Sequence, residues 1–116
     1  AAAELAGAIL AVHRALGREP WGTFHFCGAG ETTWYGFARA IFEQRARLTG
    51  APPPRLSAIT TADYPTPALR PANSVLDCSR FVETFGHAPR PWQDALFDVL
   101  AERLAAPERP AREARA

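Results

Sequence analysis

The chain has 116 residues, a formal net charge of +1 and 47% hydrophobic residues. That length points to one domain, long enough to bury roughly two thirds of its unfolded surface. Near-neutral charge without a basic, aromatic-laced patch argues against a nucleic-acid partner, and no apolar run approaches the ~20 residues of a membrane helix.

All thirteen basic residues are arginine, so any chemistry that needs a lysine is excluded, the phosphate-binding P-loop included. Cys27 and Cys78 lie far apart and form no CxxC pair, which fits reduced, buried thiols in a cytoplasmic protein. His13, His25 and His87 are scattered, so no metal site is expected. There is no methionine, even at position 1, and the expectation is a piece of something longer.

In chain order, Leu5, Ile9, Val12 and Leu16 recur at helical intervals and predict a first helix, stopped by Gly17 and Pro20. Gly22 to Gly28 is a short aromatic and β-branched run between glycines, which reads as a strand covered on both faces. Gly28-Ala29-Gly30 then makes a turn, and Thr32 or Thr33 supplies a cap for a second helix. The apolar stripe of that helix is Trp34, Phe37, Ala38, Ile41, Phe42 and Leu48, ended by Gly50 and the prolines at 52–54. Leu56 to Thr60 alternates like a second strand, and Val75-Leu76 is a candidate for a brief third pairing. Asp77 can cap a short helix carrying Phe81, Val82 and Phe85, stopped by Gly86. Pro91 suits the first turn of a last helix built on Trp92, Leu96, Val99 and Leu100. Past Leu104 the composition turns to Ala, Pro, Arg and Glu, and residues 105–116 are expected to be a disordered tail. Two or three short strands make a poor sheet alone, so an apolar face is expected to lean on another body.

Several motifs have a plain structural explanation. Gly28-Ala29-Gly30 opens like a dinucleotide-binding turn, but the third glycine of that pattern falls on Thr33, which favours a simple tight turn. Tyr35 and Arg39 have the spacing of a reductase Tyr-x-x-x-Lys pair, yet arginine is a poor substitute for that lysine. They read as two exposed helix positions. Trp34 and Trp92 read as core or interface aromatics, and Glu31 as a helix-dipole charge.

The run Tyr64 to Asp77 is different. Three prolines stiffen it, which rules out a helix or a central strand. A stiff backbone loses little entropy on ordering. Arg70 offers a forked donor to a phosphate, and Asn73 can donate and accept towards a ribose hydroxyl or a base edge. A rigid surface loop, with Arg70 paired to Asp63 or Asp77, explains the composition equally well.

Two long stretches carry a family resemblance. Gly22 to Ile41, reading GTFHFCGAGETTWYGFARAI, is similar to the G-x-(Y/F)-H-x-x-G-x-G-x-(T/S)-(T/S)-W-x-x-F-A-x-x-I stretch of dTDP-4-dehydrorhamnose reductases. Ala62 to Asp77, reading ADYPTPALRPANSVLD, resembles their YPTPAxRPxNSxLD, and Ser79, Phe85, Gly86 and Pro91-Trp92 continue the register. The likeness runs from about Leu5 to Leu104.

The resemblance implies an α/β fold: a small C-terminal subdomain over residues 1–104, with about four helices and two or three short strands, packed on an N-terminal Rossmann domain. It implies the substrate-binding part of an extended short-chain dehydrogenase/reductase that reduces dTDP-4-dehydro-L-rhamnose to dTDP-L-rhamnose, a precursor of surface polysaccharides. NADPH, or NADH, would be held by the Rossmann domain, with none bound here and no catalytic residue in this piece. By carry-over from related nucleotide-sugar enzymes, whose Arg-Pro-x-(Asp/Asn) element contacts the nucleotide, Arg70 would face the diphosphate and Asn73 the nucleoside. Tyr64 and Thr66 stay open between ligand contact and structure. The expected partners are a dTDP-sugar, the Rossmann domain and a homodimer mate. A non-catalytic, reductase-like regulatory or interaction subunit is the alternative.

Overall fold

Side-chain caps and glycine stops decide where the helices of this chain begin and end. In the computed structural model, which describes residues 1–17, 21–68 and 71–105, four α-helices follow in order: α1 (Ala2–Ala15), α2 (Trp34–Thr49), α3 (Ser79–Phe85) and α4 (Trp92–Ala105). A single 3-10 turn, Thr61–Asp63, interrupts the long connection between α2 and α3.

The ends follow the sequence closely. Thr33 caps α2, its hydroxyl accepting from the Gly36 amide at 3.0 Å, and Gly50 closes that helix in the left-handed conformation (φ 71°). Asp77 accepts from the Ser79 amide at 2.9 Å at the head of α3, and Gly86 ends it at φ 64°. The Pro91 carbonyl accepts from Asp94 and Ala95, so α4 starts one residue beyond the proline. It runs to Ala105, the first residue assigned to the expected tail; residues 106–116 lie outside the described residues.

The expected strands do not form. Among the described residues there is no strand, and the α/β expectation is corrected to four helices joined by extended segments. Residues 22–28 are extended but have no ladder. A strand is defined by inter-strand hydrogen bonds, and here only Ala29 finds a partner: its amide donates to the Arg90 carbonyl at 2.8 Å, and the Trp92 amide donates back at 2.9 Å, an isolated parallel bridge to Pro91. Because this bridge uses the groups on either side of Pro91, the missing proline N–H costs it nothing. Leu56–Thr60 and Val75-Leu76 are likewise unpaired extended chain.

Packing falls into two patches. In the first, Phe24 and Phe26 lie on α3: the Phe24–Phe85 and Phe26–Phe81 ring centroids are each 4.9 Å apart. His87 joins Phe26 at 5.6 Å. Helix α1 closes this patch, but of its predicted stripe only Val12 faces inward. Leu5, Ile9 and Leu16 are exposed, and the inward face is Glu4, Gly7, Ala8, Ala11, Val12 and Ala15. Small residues let the helix backbone come close: a Cβ on Gly7 would sit 3.4 Å from the His87 ring. In the second patch α2 packs on α4, with Phe37 and Trp92 rings 5.6 Å apart and the Gln44 amide donating to the Gln93 carbonyl. Only Ala8, Phe81 and Ala95 are buried apolar residues among those described. No described helix is long and apolar enough to cross a membrane.

Candidate functional site

The Pro-rich run is held by short-range bonds from its own polar side chains. At its start the Asp63 carboxylate accepts from both the amide (2.8 Å) and the hydroxyl (2.7 Å) of Thr60. These bonds stabilise the ionised form, so the Asp63 pKa lies below its ordinary value. The Thr66 hydroxyl donates to the Ala68 carbonyl at 2.9 Å, which gives Thr66 a structural role. The Asn73 side-chain carbonyl accepts from the Val75 amide at 2.9 Å, an Asx turn. At the end, Asp77 is held below its ordinary pKa, first by the Ser79 backbone amide and then by the Ser79 side chain, with a smaller contribution from His25.

Two of the residues singled out from sequence can be placed. Tyr64 is 69% exposed. Asn73 is exposed; its carbonyl is used by the turn, and its NH2 has no partner among the described residues. That fixes the side chain through its carbonyl oxygen. Arg70 lies outside the described residues. The two carboxylates that a loop-bracing Arg70 would use are each already engaged by a neighbouring amide.

The Gly28–Gly30 turn does not fit a dinucleotide. A pyrophosphate cradle needs free amides and open backbone. Here the Ala29 amide is bonded to Arg90. Trp92 fills the approach: added Cβ atoms on Gly28 and Gly30 would meet it at 3.2 and 3.3 Å. The glycines serve that close contact, and Gly30 (φ 89°) also makes the turn. Tyr35 is 39% exposed and Arg39 is paired with Glu43 at 3.3 Å, so these are two outward helix positions, as their spacing suggested. Trp92 is packed as expected, whereas Trp34 is 89% exposed.

The run's far end meets the outer face of the 22–28 segment. Phe24 and Phe26 point to α3; the alternate residues His25 and Cys27 approach Asp77 and Cys78. The two sulfurs are 3.6 Å apart, and both lie near the Leu76 carbonyl, at 4.0 and 3.8 Å. Both thiols are free and half-buried. Burial pushes the Cys27 thiol up, and the hydrogen bond to Cys78 adds to it. Sequence spacing alone gave no sign of this pairing across 51 positions. No cluster of three or more potential metal ligands occurs among the described residues.

The motifs of residues 22–41 and 62–77 meet where His25 and Cys27 approach Asp77 and the Leu76 carbonyl, and the comparisons with known proteins match the sequence of both. The family model of the RmlD substrate binding domain matches residues 1–105. The chain belongs to that family. Among its relatives is the dTDP-4-dehydrorhamnose reductase of Aggregatibacter actinomycetemcomitans, 46% identical over 82 residues, 70% of this chain and 28% of the relative. The enzyme of the same name from Burkholderia thailandensis is 42% identical over 86 residues, 72% of this chain and 29% of the relative. A probable dTDP-4,6-dihydroxy-2-methyloxan-3-one 4-ketoreductase from Streptomyces antibioticus is 42% identical over 101 residues, 84% of this chain and 32% of the relative. This RmlD-type domain thus spans less than a third of the length of these relatives.

Proposed function

We propose that this domain is the nucleotide-sugar-binding part of an NAD(P)H-dependent reductase that converts dTDP-4-dehydro-L-rhamnose to dTDP-L-rhamnose. The observation that carries the reading is the family match over residues 1–105, together with relatives named as reductases of dTDP-sugars. In this reading the hydride donor binds to another part of the enzyme, because the glycine turn present here is closed by Trp92. The chain supplies binding, not hydride chemistry, in keeping with a sequence that has no lysine.

The run 64–77 is the binding element. Its prolines and local side-chain bonds set the backbone before any ligand arrives, which lowers the entropy cost of binding. Arg70 takes the diphosphate with its forked donors, and the NH2 of Asn73 takes an acceptor on the nucleoside. The unit extends over residues 1–104. The second body on which it rests is a Rossmann domain, and the exposed apolar residues support such a contact: Leu5 and Ile9 on α1, Leu16 and Trp21 after it, and Trp34 at the start of α2. The setting is cytoplasmic, where nucleotide-sugar chemistry feeds polysaccharide synthesis. A homodimer belongs to the same proposal.

Calorimetric titration with dTDP tests the reading, first on this chain and then on the full-length protein that carries it. Arg70→Ala should weaken binding by about 1.5–3 kcal/mol, roughly tenfold to a hundredfold, through loss of a charge-assisted contact. Full-length protein that binds dTDP equally well with and without Arg70 would rule out the assignment of that residue. Full-length protein that binds no dTDP would sink the reductase reading itself.

A further inference from the structure

We infer that Cys27 and Cys78 form a reversible disulfide site that staples the end of the Pro-rich run to the 22–28 segment. The two sulfurs already lie 3.6 Å apart with free thiols. Closing them to bonding distance needs a movement of less than about 2 Å. Both are half-buried, so a small oxidant reaches them, and both are oriented by the same Leu76 carbonyl. The 22–28 segment is packed on α3, just past Cys78, by ring contacts and by the Arg80 bond to the Thr23 carbonyl. Residues 22–28 have no strand partner, and residues 64–77 are held by bonds to near neighbours in sequence. A covalent link there joins two segments that no backbone ladder connects. It fixes the segment just after Asn73 at the head of α3.

The oxidant is a low-molecular-weight disulfide. One cysteine, as its thiolate, attacks a sulfur of that disulfide, forming a mixed disulfide and expelling one small thiolate. The second cysteine loses its proton and attacks the protein sulfur of the mixed disulfide, forming the Cys27–Cys78 bond and expelling the other small thiolate. Two protein thiols are oxidised, one small disulfide is reduced to two thiols, and the protons lost by the cysteines end on the released thiolates. Burial keeps Cys27 protonated at rest, which accounts for a stable dithiol until an oxidant is supplied.

The test uses the full chain in glutathione redox buffers, with acid quenching, thiol alkylation and non-reducing peptide mapping. The inference does not depend on the proposed reductase role, and dTDP is left out of the assay. The expected product is a monomer with a Cys27–Cys78 cross-linked peptide, lighter by two hydrogens and restored by dithiothreitol. The native chain should form it at a glutathione disulfide ratio about tenfold lower than the same chain in urea, because the fold already holds the sulfurs together. Cys27→Ser and Cys78→Ser should each lose the cross-link and retain a glutathione adduct on the remaining cysteine. If the native chain gives only glutathione adducts or intermolecular dimers, the inference is overturned. The same holds if the cross-link forms no more readily in buffer than in urea, since that pairing would owe nothing to the fold.

Discussion

Two extended segments of this chain, residues 22–28 and residues 64–77, are built on opposite principles. The first is held by what its side chains bury. Phe24 and Phe26 sit on Phe81 and Phe85, Arg80 lies over the Phe24 ring at 4.5 Å and donates to the Thr23 carbonyl, and Ala29 is bridged to Pro91. The second buries almost nothing: among its described residues all are exposed. Prolines limit its backbone, and side chains of Thr66, Asn73 and Asp77 tie it to amides and carbonyls two residues away. Packing gives the first segment position at the expense of its side chains. Local bonding gives the described part of the second its shape while its side chains stay exposed.

The largest way to break that comparison is to empty the aromatic patch. Phe81 is 5% exposed and touches Phe26 and Phe85. Phe81→Ala should cost about 3–5 kcal/mol, the transfer term plus the cavity it leaves. Urea denaturation followed by circular dichroism measures it. Residues 22–28 should lose amide protection with the patch, whereas the Thr60 and Val75 amides should not change. Equal loss in both segments would show that the run at 64–77 is held through the core after all.

A smaller effect is expected at the end of the first segment. Gly30 has φ 89°, and a Cβ there would meet Trp92 at 3.3 Å. Gly30→Ala therefore combines backbone strain with a contact that moves the indole, about 1–3 kcal/mol together. Gly86 has φ 64° but open space around it, so Gly86→Ala should show the backbone part alone, about 1 kcal/mol. If the two variants denature at the same urea concentration, Trp92 does not press on the turn.

The helices were legible from sequence because helical periodicity and glycine or proline stops are local signals. Thr33, Gly50, Asp77 and Gly86 all act where spacing put them. The strands were misread for a physical reason: Thr23 to Cys27 has strand composition, but a ladder needs a second chain segment, and one sequence does not say whether it exists. The α1 stripe was misread because hydrophobicity was equated with burial. Close approach to α3 and His87 favours Gly7, Ala8 and Ala11 on the inside, leaving Leu5 and Ile9 outward. In the candidate site, the run itself stood out through its prolines and its resemblance. The bonds of Asn73 and Thr66 could be guessed as residue-type habits, while the meeting of Cys27 with Cys78 is purely three-dimensional.

The smallest predicted effect separates the two segments by acid. Asp63 and Asp77 both have folded pKa values lowered by hydrogen bonds, Asp63 chiefly from the Thr60 hydroxyl and Asp77 chiefly from the Ser79 amide. A carboxylate whose pKa is depressed by folding adds stability that is complete above its unfolded value. That stability begins to fade near the ordinary value of 3.8 and is gone once pH drops below the folded one. Both groups are solvent-exposed, so the effect stays local to the run. Amide exchange at Thr60 and Ser79 should accelerate, relative to the intrinsic rate, as pH falls from the ordinary value through the folded one. Protection of residues in the Phe81 patch should fall less over that window, since ring contacts among Phe24, Phe26, Phe81 and Phe85 hold it as well. Thr60→Ala should shrink the Asp63 part of the acid response, the Thr60 amide still donating to it, and leave the Ser79 part intact. A run whose exchange ignores pH would be held by its prolines and by the Thr66 and Asn73 bonds, with no share from the two carboxylates.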